Sequence, residues 1–317
     1  MTTDRAAGSA HDTRPERLHL VDGTYELVRA HFSKRPSRVD LSGRDIKATV
    51  GLLESLLSLL HSPEERVTHV GVAFDNPIRS FRNDLLDSYK DDSALPPEVR
   101  AQFDLVEEAV AAIGVTVWSM REHEADDALA AAAVRWRDDV DQVRILTPDK
   151  DLGQCIRGTR VVTVDRRNQR DIDEVTLREL KGIAPTSIPD WLALVGDAAD
   201  GIPGIPGFGA KTASSVLATF PRLEDIPQLG LHWRGVAGGS ATRLAAALAD
   251  RMEDALLYRH LATLVDDLPL PQELEDLRWR GVPHDSFAVW CEQHGVNGLA
   301  ERARRWGQPE PAEVTGA

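Results

Sequence analysis

Only two cysteines, Cys155 and Cys291, occur in 317 residues, and they form no CxxC pair. A disulfide framework is thereby excluded, and a reducing, cytoplasmic compartment is expected. No Cys/His cluster has the spacing of a zinc site. No apolar run approaches the ~20 residues of a membrane-spanning helix. Residues 1–15 lack the apolar centre of a secretory signal. No membrane partner is therefore expected. Positive charge is also in deficit, with 37 Lys and Arg against 51 Asp and Glu and a net charge of −14. That sign excludes a purely electrostatic nucleic-acid coat protein. It leaves open a protein whose acids converge on cations, because bound metal ions invert the local field.

Alternation dominates what is present. Short apolar runs at 18–21, 67–74, 115–118, 143–146 and 161–164 read as strands. Between them lie helical runs. Leu52, Leu53, Leu56, Leu57 and Leu60 recur at spacings of three and four within a helix expected over 45–61. An amphipathic helix is expected over 97–113, and an alanine-rich one runs from Ala128 to Trp136. The fold class is α/β, a mainly parallel twisted sheet flanked by helices. From about residue 171 the chain becomes helical and glycine-punctuated, with helices expected at 191–195, up to Phe220, and over 244–264. The first 16 residues and the last ten have the composition of disordered tails.

In parallel sheets, ligands sit beyond the carboxyl ends of the strands. Acids end four of the apolar runs here: Asp22, Asp75, the cluster Glu124, Asp126 and Asp127, and the pair Asp149 and Asp151. Asp197 and Asp200 follow the 191–195 helix. Taken singly, any of these acids reads equally well as a solvated surface residue, and the Glu124 cluster as an acidic helix start. Taken jointly, they describe a rim of carboxylates. Like charges at contact distance raise one another's pKa or recruit cations. Oxygen-only donors suit Mg²⁺ or Mn²⁺, and a metal pair would stabilise both oxygens of a phosphodiester displacement.

A second constellation is Gly204-Ile-Pro-Gly-Phe-Gly-Ala-Lys-Thr212. Such glycines let backbone N–H groups approach a phosphate at a helix start, and Lys211 adds charge. The loop is not a Walker A motif, because Gly209 and Lys211 are not adjacent. A third stretch, 79–102, sets Arg82 and Lys90 beside Phe81 and Tyr89. Cations beside aromatics can hold a backbone and stack a base, although a solvated surface is the commoner reading.

These stretches, in this order over residues 18–265, resemble the bacterial flap endonuclease/5′-3′ exonuclease family, which includes the 5′-nuclease domain of DNA polymerase I. The resemblance implies a PIN-like core at 18–183 with a helical arch at about 79–110, and a helix-hairpin-helix region at 184–265. It places a helical extension at 266–307 and tails at 1–17 and 308–317. The chain is too short for a polymerase module, so a stand-alone member of the actinobacterial type is expected. By resemblance, Asp22, Asp75, Glu124, Asp126 and Asp149 match one metal site, and Asp126, Asp151 and Asp200 a second, with Asp149 able to bridge. Asp127 and Asp197 match outer acids. Arg82 and Lys90 match arch residues at the scissile phosphate. Tyr89, Gly207, Gly209, Lys211 and Thr212 match DNA contacts, and the carbonyls of Ile202, Gly204 and Ile205 a potassium site. The implied reaction is attack by a metal-activated water on DNA with 5′ flaps, nicks or ends, with RNA–DNA primers as a further substrate, by a monomer acting in replication and repair. His123 is expected to be structural.

The chain departs from the family pattern in two places. Asp91-Asp92-Ser93 follows Lys90 where relatives often carry a further base, and Ala199-Asp200-Gly201 stands where relatives often read Ser-Asp-Asn. Two other readings remain, a catalytically weak junction-binding protein and a PIN-like ribonuclease. The complete acid set weighs against the first, and the hairpin element against the second.

Overall fold

Six strands build one sheet in the computed structural model, which describes residues 15–91, 93, 95–303 and 306. They are β1 Arg17–Asp22, β2 His69–Asp75, β3 Thr116–Met120, β4 Gln142–Leu146, β5 Val161–Asp165 and β6 Arg170–Ile172. Their order is β3-β2-β1-β4-β5-β6, with every neighbouring pair parallel except β5 and β6. The antiparallel β6 was not expected from the sequence, because its exposed RDI run carries almost no apolar signal. Of the expected tails at 1–17 and 308–317, residues 1–14 and 308–317 lie outside the described residues. Glu16 and Arg17, counted with the N-terminal tail, belong to the fold: Arg17 opens β1, and the Glu16 N–H donates to Asp141 at 2.7 Å.

Period-two alternation sends β1 side chains to both faces. Leu18 and Leu20 meet the alanine-rich helix α5 (residues named below), and Val21 joins the leucine-rich core on the other face. The helices of the nuclease core are α1 Gly23–His31, α2 Lys47–Leu60, α3 Pro97–Arg100, α4 Phe103–Ala112 and α5 Ala125–Trp136. Small residues let α5 lie close to the sheet. Gly71 does the same on β2, where a Cβ would fall 2.4 Å from the Trp118 ring. Trp118 in turn stacks on Trp136 of α5.

The expected 97–113 helix is divided between α3 and α4. At the break Gln102 is fully buried, and its side-chain oxygen accepts from the N–H and hydroxyl of Thr49 on α2. Among its described residues, the first part of the expected arch opens with a 3₁₀ turn at Phe81–Asp84 and has no α-helix before Pro97.

Helices α6 Glu174–Lys181, α7 Ile188–Val195, α8 Ala210–Leu217, α9 Gly238–Asp250 and α10 Met252–Ala262 follow. Helices α7 to α10 enclose a second core of their own, which Tyr89 from the arch segment also enters. The run expected over 244–264 is two helices meeting at Arg251. The last part, with α11 His284–Gln293 and α12 Asn297–Ala300, returns to the first core. Trp279, Phe287, Trp290 and Leu299 pack with the leucines of α2 and the apolar face of α4. No helix among the described residues is long and apolar enough to cross a membrane.

Candidate metal and nucleic-acid site

The strands end on one rim, and each ending has a local cause. Asp22 closes β1 and caps α1, accepting from the Tyr25 N–H at 2.8 Å. Its other oxygen accepts from the Thr147 hydroxyl at 3.0 Å, and the same hydroxyl accepts from the Asp149 N–H at 3.1 Å. Thr147 thus ties the ends of β1 and β4 together. Asp149 then accepts from the Asp151 N–H at 2.8 Å, which turns the chain into the next 3₁₀ helix. Asp75 closes β2 and accepts from the Ala125 N–H at 2.8 Å, fixing where α5 begins. Asp126 follows on the first turn of α5.

Asp22, Asp75, Asp126 and Asp149 line one open pocket of about 440 Å³, together with Tyr25, Lys90 and Lys150. Beside it, Asp151, Asp197 and Asp200 each bring one carboxylate oxygen within 4.8 Å of the others. Asp197 and Asp200 sit on a tight loop after α7. Its backbone is pinned by reciprocal hydrogen bonds between Asp197 and Ile202, both 2.8 Å. Gly196 and Gly204 close this loop back to back: a Cβ on Gly204 would lie 2.5 Å from the Gly196 nitrogen, and Gly204 has φ +73.

Concentrated burial strains these acids electrostatically. Burial first, then neighbouring carboxylates, push Asp22 up to about 7. The same causes hold Asp126 and Asp151 well above the usual carboxylate range, with Asp149 the largest charged contributor to both. Asp75 and Asp200 are raised chiefly by burial. Asp151 Oδ1 is buried without a hydrogen-bond partner among the described residues. An orphaned buried oxygen within a carboxylate triad fits a hard divalent cation, as does the all-oxygen donor set.

Two lysines offset part of this charge. Lys90 Nζ lies 3.1 Å from Glu124 and 2.9 Å from Asp200. Burial alone would lower its pKa, but the two carboxylates outweigh that and hold it well above the ordinary range. Lys150 pairs with Asp197. Neither Lys150 nor the hydroxyl of Thr147 is singled out by sequence, although both lie beside the Asp149 and Asp151 pair in the chain. A lysine between two aspartates that must share a cation is the signal that could have found the former.

Three expected site residues are placed elsewhere. Arg82 is about 1% exposed and cannot reach a phosphate. Its guanidinium donates twice to Asp127, at 2.7 Å each, and again to the carbonyls of Leu261 and Thr263. Asp127 is fully buried, accepting from Arg82 and from the N–H groups of Glu124 and Val265, so no oxygen is left for a metal. Tyr89 is buried in the helical core, and its hydroxyl donates to Glu124 at 3.3 Å. The physical reason is common to the three: the arch segment folds down onto the helical unit instead of standing off it. Gly201 allows this, with φ +73 and a missing Cβ that would lie 1.7 Å from the Ser88 carbonyl oxygen. The Lys90 N–H donates to the Asp200 carbonyl at 3.0 Å and completes the strap. Asp92, noted as a departure, lies outside the described residues.

Glu124 stands behind the rim as the N-cap of α5, held by Ser80 at 2.7 Å as well as by Tyr89 and Lys90. His123 rests against the Phe81 ring. Lys211 and Thr212 prove to be on the first turn of α8, with Gly209 as its N-cap and no side chain capping its N–H groups. Gly207, Gly209 and Lys211 are exposed there. The carbonyls of Ile202 and Ile205 already accept from Asp197 and Phe208, which leaves each one lone pair.

Fold and site together define an α/β protein with an acid-lined rim at the carboxyl ends of its parallel strands and an attached helical unit. Family profiles agree: the 5′-3′ exonuclease N-terminal resolvase-like domain matches residues 17–182, and the 5′-3′ exonuclease C-terminal SAM fold matches 183–285. The chain belongs to the 5′-3′ exonuclease family. It is 29% identical to DNA polymerase I of Bacillus subtilis over 92% of this chain and 32% of that protein. Against DNA polymerase I of Pseudomonas aeruginosa it is 32% identical, over 94% of this chain and 33% of that protein. The chain therefore spans about a third of the length of these curated relatives. A solved structure of the 5′-exonuclease of T5 with bound divalent metal ions (zinc) shares the fold, with TM-score 0.60 and 20% identity, covering 91% of this chain and all of that one.

Proposed function

We propose that the chain is a structure-specific 5′ nuclease, a flap endonuclease and 5′-3′ exonuclease that hydrolyses DNA near single-strand/duplex junctions with two divalent ions, Mg²⁺ or Mn²⁺. The observation that carries this reading is the meeting of Asp22, Asp75, Asp126 and Asp149 in one pocket beside the Asp151, Asp197 and Asp200 triad. Ions held by these acids would supply the charge that stabilises the attacking and leaving oxygens. Asp22, Asp75, Asp126 and Asp149 hold one ion, with Glu124 behind them. Asp151, Asp197 and Asp200 hold the other, and Asp149 acts on both groups. With the acids neutralised, Lys90 on the pocket wall is able to meet the scissile phosphate.

Duplex DNA is held by Gly207, Gly209, Lys211 and Thr212 at the start of α8, where no side chain caps the first N–H groups. The carbonyls of Ile202, Gly204 and Ile205 take K⁺ there. The protein works as a cytoplasmic monomer on 5′ flaps, nicks and ends, RNA–DNA primers included, in replication and repair. The testing experiment incubates labelled 5′-flap, nicked and blunt duplexes with Mg²⁺, Mn²⁺ or EDTA. Cleavage with metal and none with EDTA is expected; inactivity on every substrate with either metal would overturn the reading.

A further inference from the structure

A basic shelf adjoins the acid pocket across a shared wall. Tyr25, Thr147 and Pro148 line the acid pocket on one side and, on the other, a shallow pit whose rim carries Arg29, Arg166 and Arg167. These guanidiniums are positioned from beneath. Glu26 is buried, and its one carboxylate serves both Arg29 and Arg166, the latter at 3.5 Å. The Ser55 hydroxyl, which itself donates to Glu26, accepts from Arg29 at 3.1 Å and from Arg166 at 2.9 Å. One buried acid thus orients two cations, and positive charge is left over at the surface.

Arg167 adds a third. It lies in the turn joining β5 to β6, a turn fixed by Asp165, which accepts from the N–H groups of Arg167 and Asn168 at 3.0 and 3.1 Å. Arg167 is exposed and enters no ion pair among the described residues. Three guanidiniums therefore stand against two carboxylates, in a chain whose net charge is −14. None of the three arginines is needed by the acid rim, and Arg167 has no packing duty.

We propose that Arg29, Arg166 and Arg167 form a phosphate-binding shelf for the nucleic-acid strand that crosses the Tyr25–Pro148 ridge next to the bond being cut. The inference rests on the nuclease reading given above and specifies where the strand runs. A carboxylate rim repels the phosphates flanking the scissile one. A preorganised arginine pair one wall away offsets that repulsion, and guanidinium forks suit phosphate oxygens. The contact carries no sequence information, as a structure-reading nuclease requires.

The test measures binding of a labelled 5′-flap duplex by fluorescence anisotropy in Ca²⁺ over a KCl series, together with steady-state cleavage. Arg167→Glu changes only an exposed turn residue, so folding is retained, and Arg167→Lys serves as the conservative control. For Arg167→Glu, affinity at low salt should fall about tenfold, and the slope of log K against log[salt] should flatten by about one unit. KM should rise with kcat nearly unchanged, the signature of lost ground-state binding. Arg167→Lys should recover most of the affinity, and adding Arg166→Lys to Arg167→Glu should weaken binding further. Wild-type affinity, salt slope and KM in Arg167→Glu and in the double variant, with the wild type cleaving normally, would overturn the shelf and leave the nuclease reading intact. A wild type that neither binds nor cleaves would overturn both.

Discussion

The Arg82 guanidinium grips Asp127 through two parallel hydrogen bonds of 2.7 Å each, with both side chains essentially buried. Asp127 also accepts from the Glu124 and Val265 N–H groups, so this pair joins the arch segment, the start of α5 and the chain leaving α10. Through the Glu124 N–H it fixes the start of α5 from behind the rim. Breaking a buried pair by removing one partner costs about 3–5 kcal/mol. Arg82→Ala should therefore lower unfolding free energy by about that amount in chemical denaturation. Unchanged stability with a loss confined to kcat would instead mark Arg82 as a phosphate contact.

Lys90 pairs with Glu124 and Asp200, and a divalent ion would have to compete with it for both. In Lys90→Ala, cleavage should drop steeply while Mn²⁺ binding, followed calorimetrically, tightens roughly fivefold, as expected for a part-exposed pair worth about 1 kcal/mol. Weaker Mn²⁺ binding would show that Lys90 supports the metal site instead of occupying it.

Asp126→Asn and Asp149→Asn should abolish flap cleavage, with metal-free DNA binding largely retained. Each removes a charge from the pocket without changing its shape. Full cleavage by both variants would sink the two-metal reading.

Metal-free stability should depend on pH through the raised carboxyls. Asp22, pushed up to about 7 mainly by burial, binds a proton in the folded state that it has lost in the unfolded one. Its stabilising contribution is complete below the unfolded value and is lost as pH rises through about 7. In EDTA, Tm should fall by at least ~3 °C between about pH 5 and pH 7.5. Saturating Mg²⁺ or Mn²⁺ should remove most of that fall. A flat profile in EDTA would refute the linkage.

Gly201→Ala should free the strap. With φ +73 and a Cβ position 1.7 Å from the Ser88 carbonyl oxygen, the variant cannot keep the present contact. A loss of about 1–3 kcal/mol is expected, with limited proteolysis newly cutting between Leu85 and Leu95. An uncut strap would show that the loop yields instead.

Much of the site was legible because its signals are local. Strand-ending acids need only the apolar run before them and the rule that parallel strands present their carboxyl ends together. Asp22, Asp75, Asp126 and Asp149 followed from that, and β1 to β5 from alternation. The split of α3 from α4 was hidden because Gln102 breaks the helix for a distant partner, Thr49. The antiparallel β6 was hidden because an exposed edge needs no apolar pattern.

What the sequence determined by itself is the inventory of acids and their place at the strand ends, since these depend on residue type and periodicity. What only the tertiary structure decided is the division of labour among equal-looking charges. Asp126 and Asp127 are chain neighbours on one helical turn. A turn of about 100° per residue leaves Asp126 on the pocket and sends Asp127 inward to Arg82. Arg82 and Lys90 are likewise alike on paper. Arg82 is consumed by a partner 45 residues away, and Lys90 is carried to the rim because Gly201 lets the strap dock. Charge type is written locally; which partner neutralises it is settled by long-range packing.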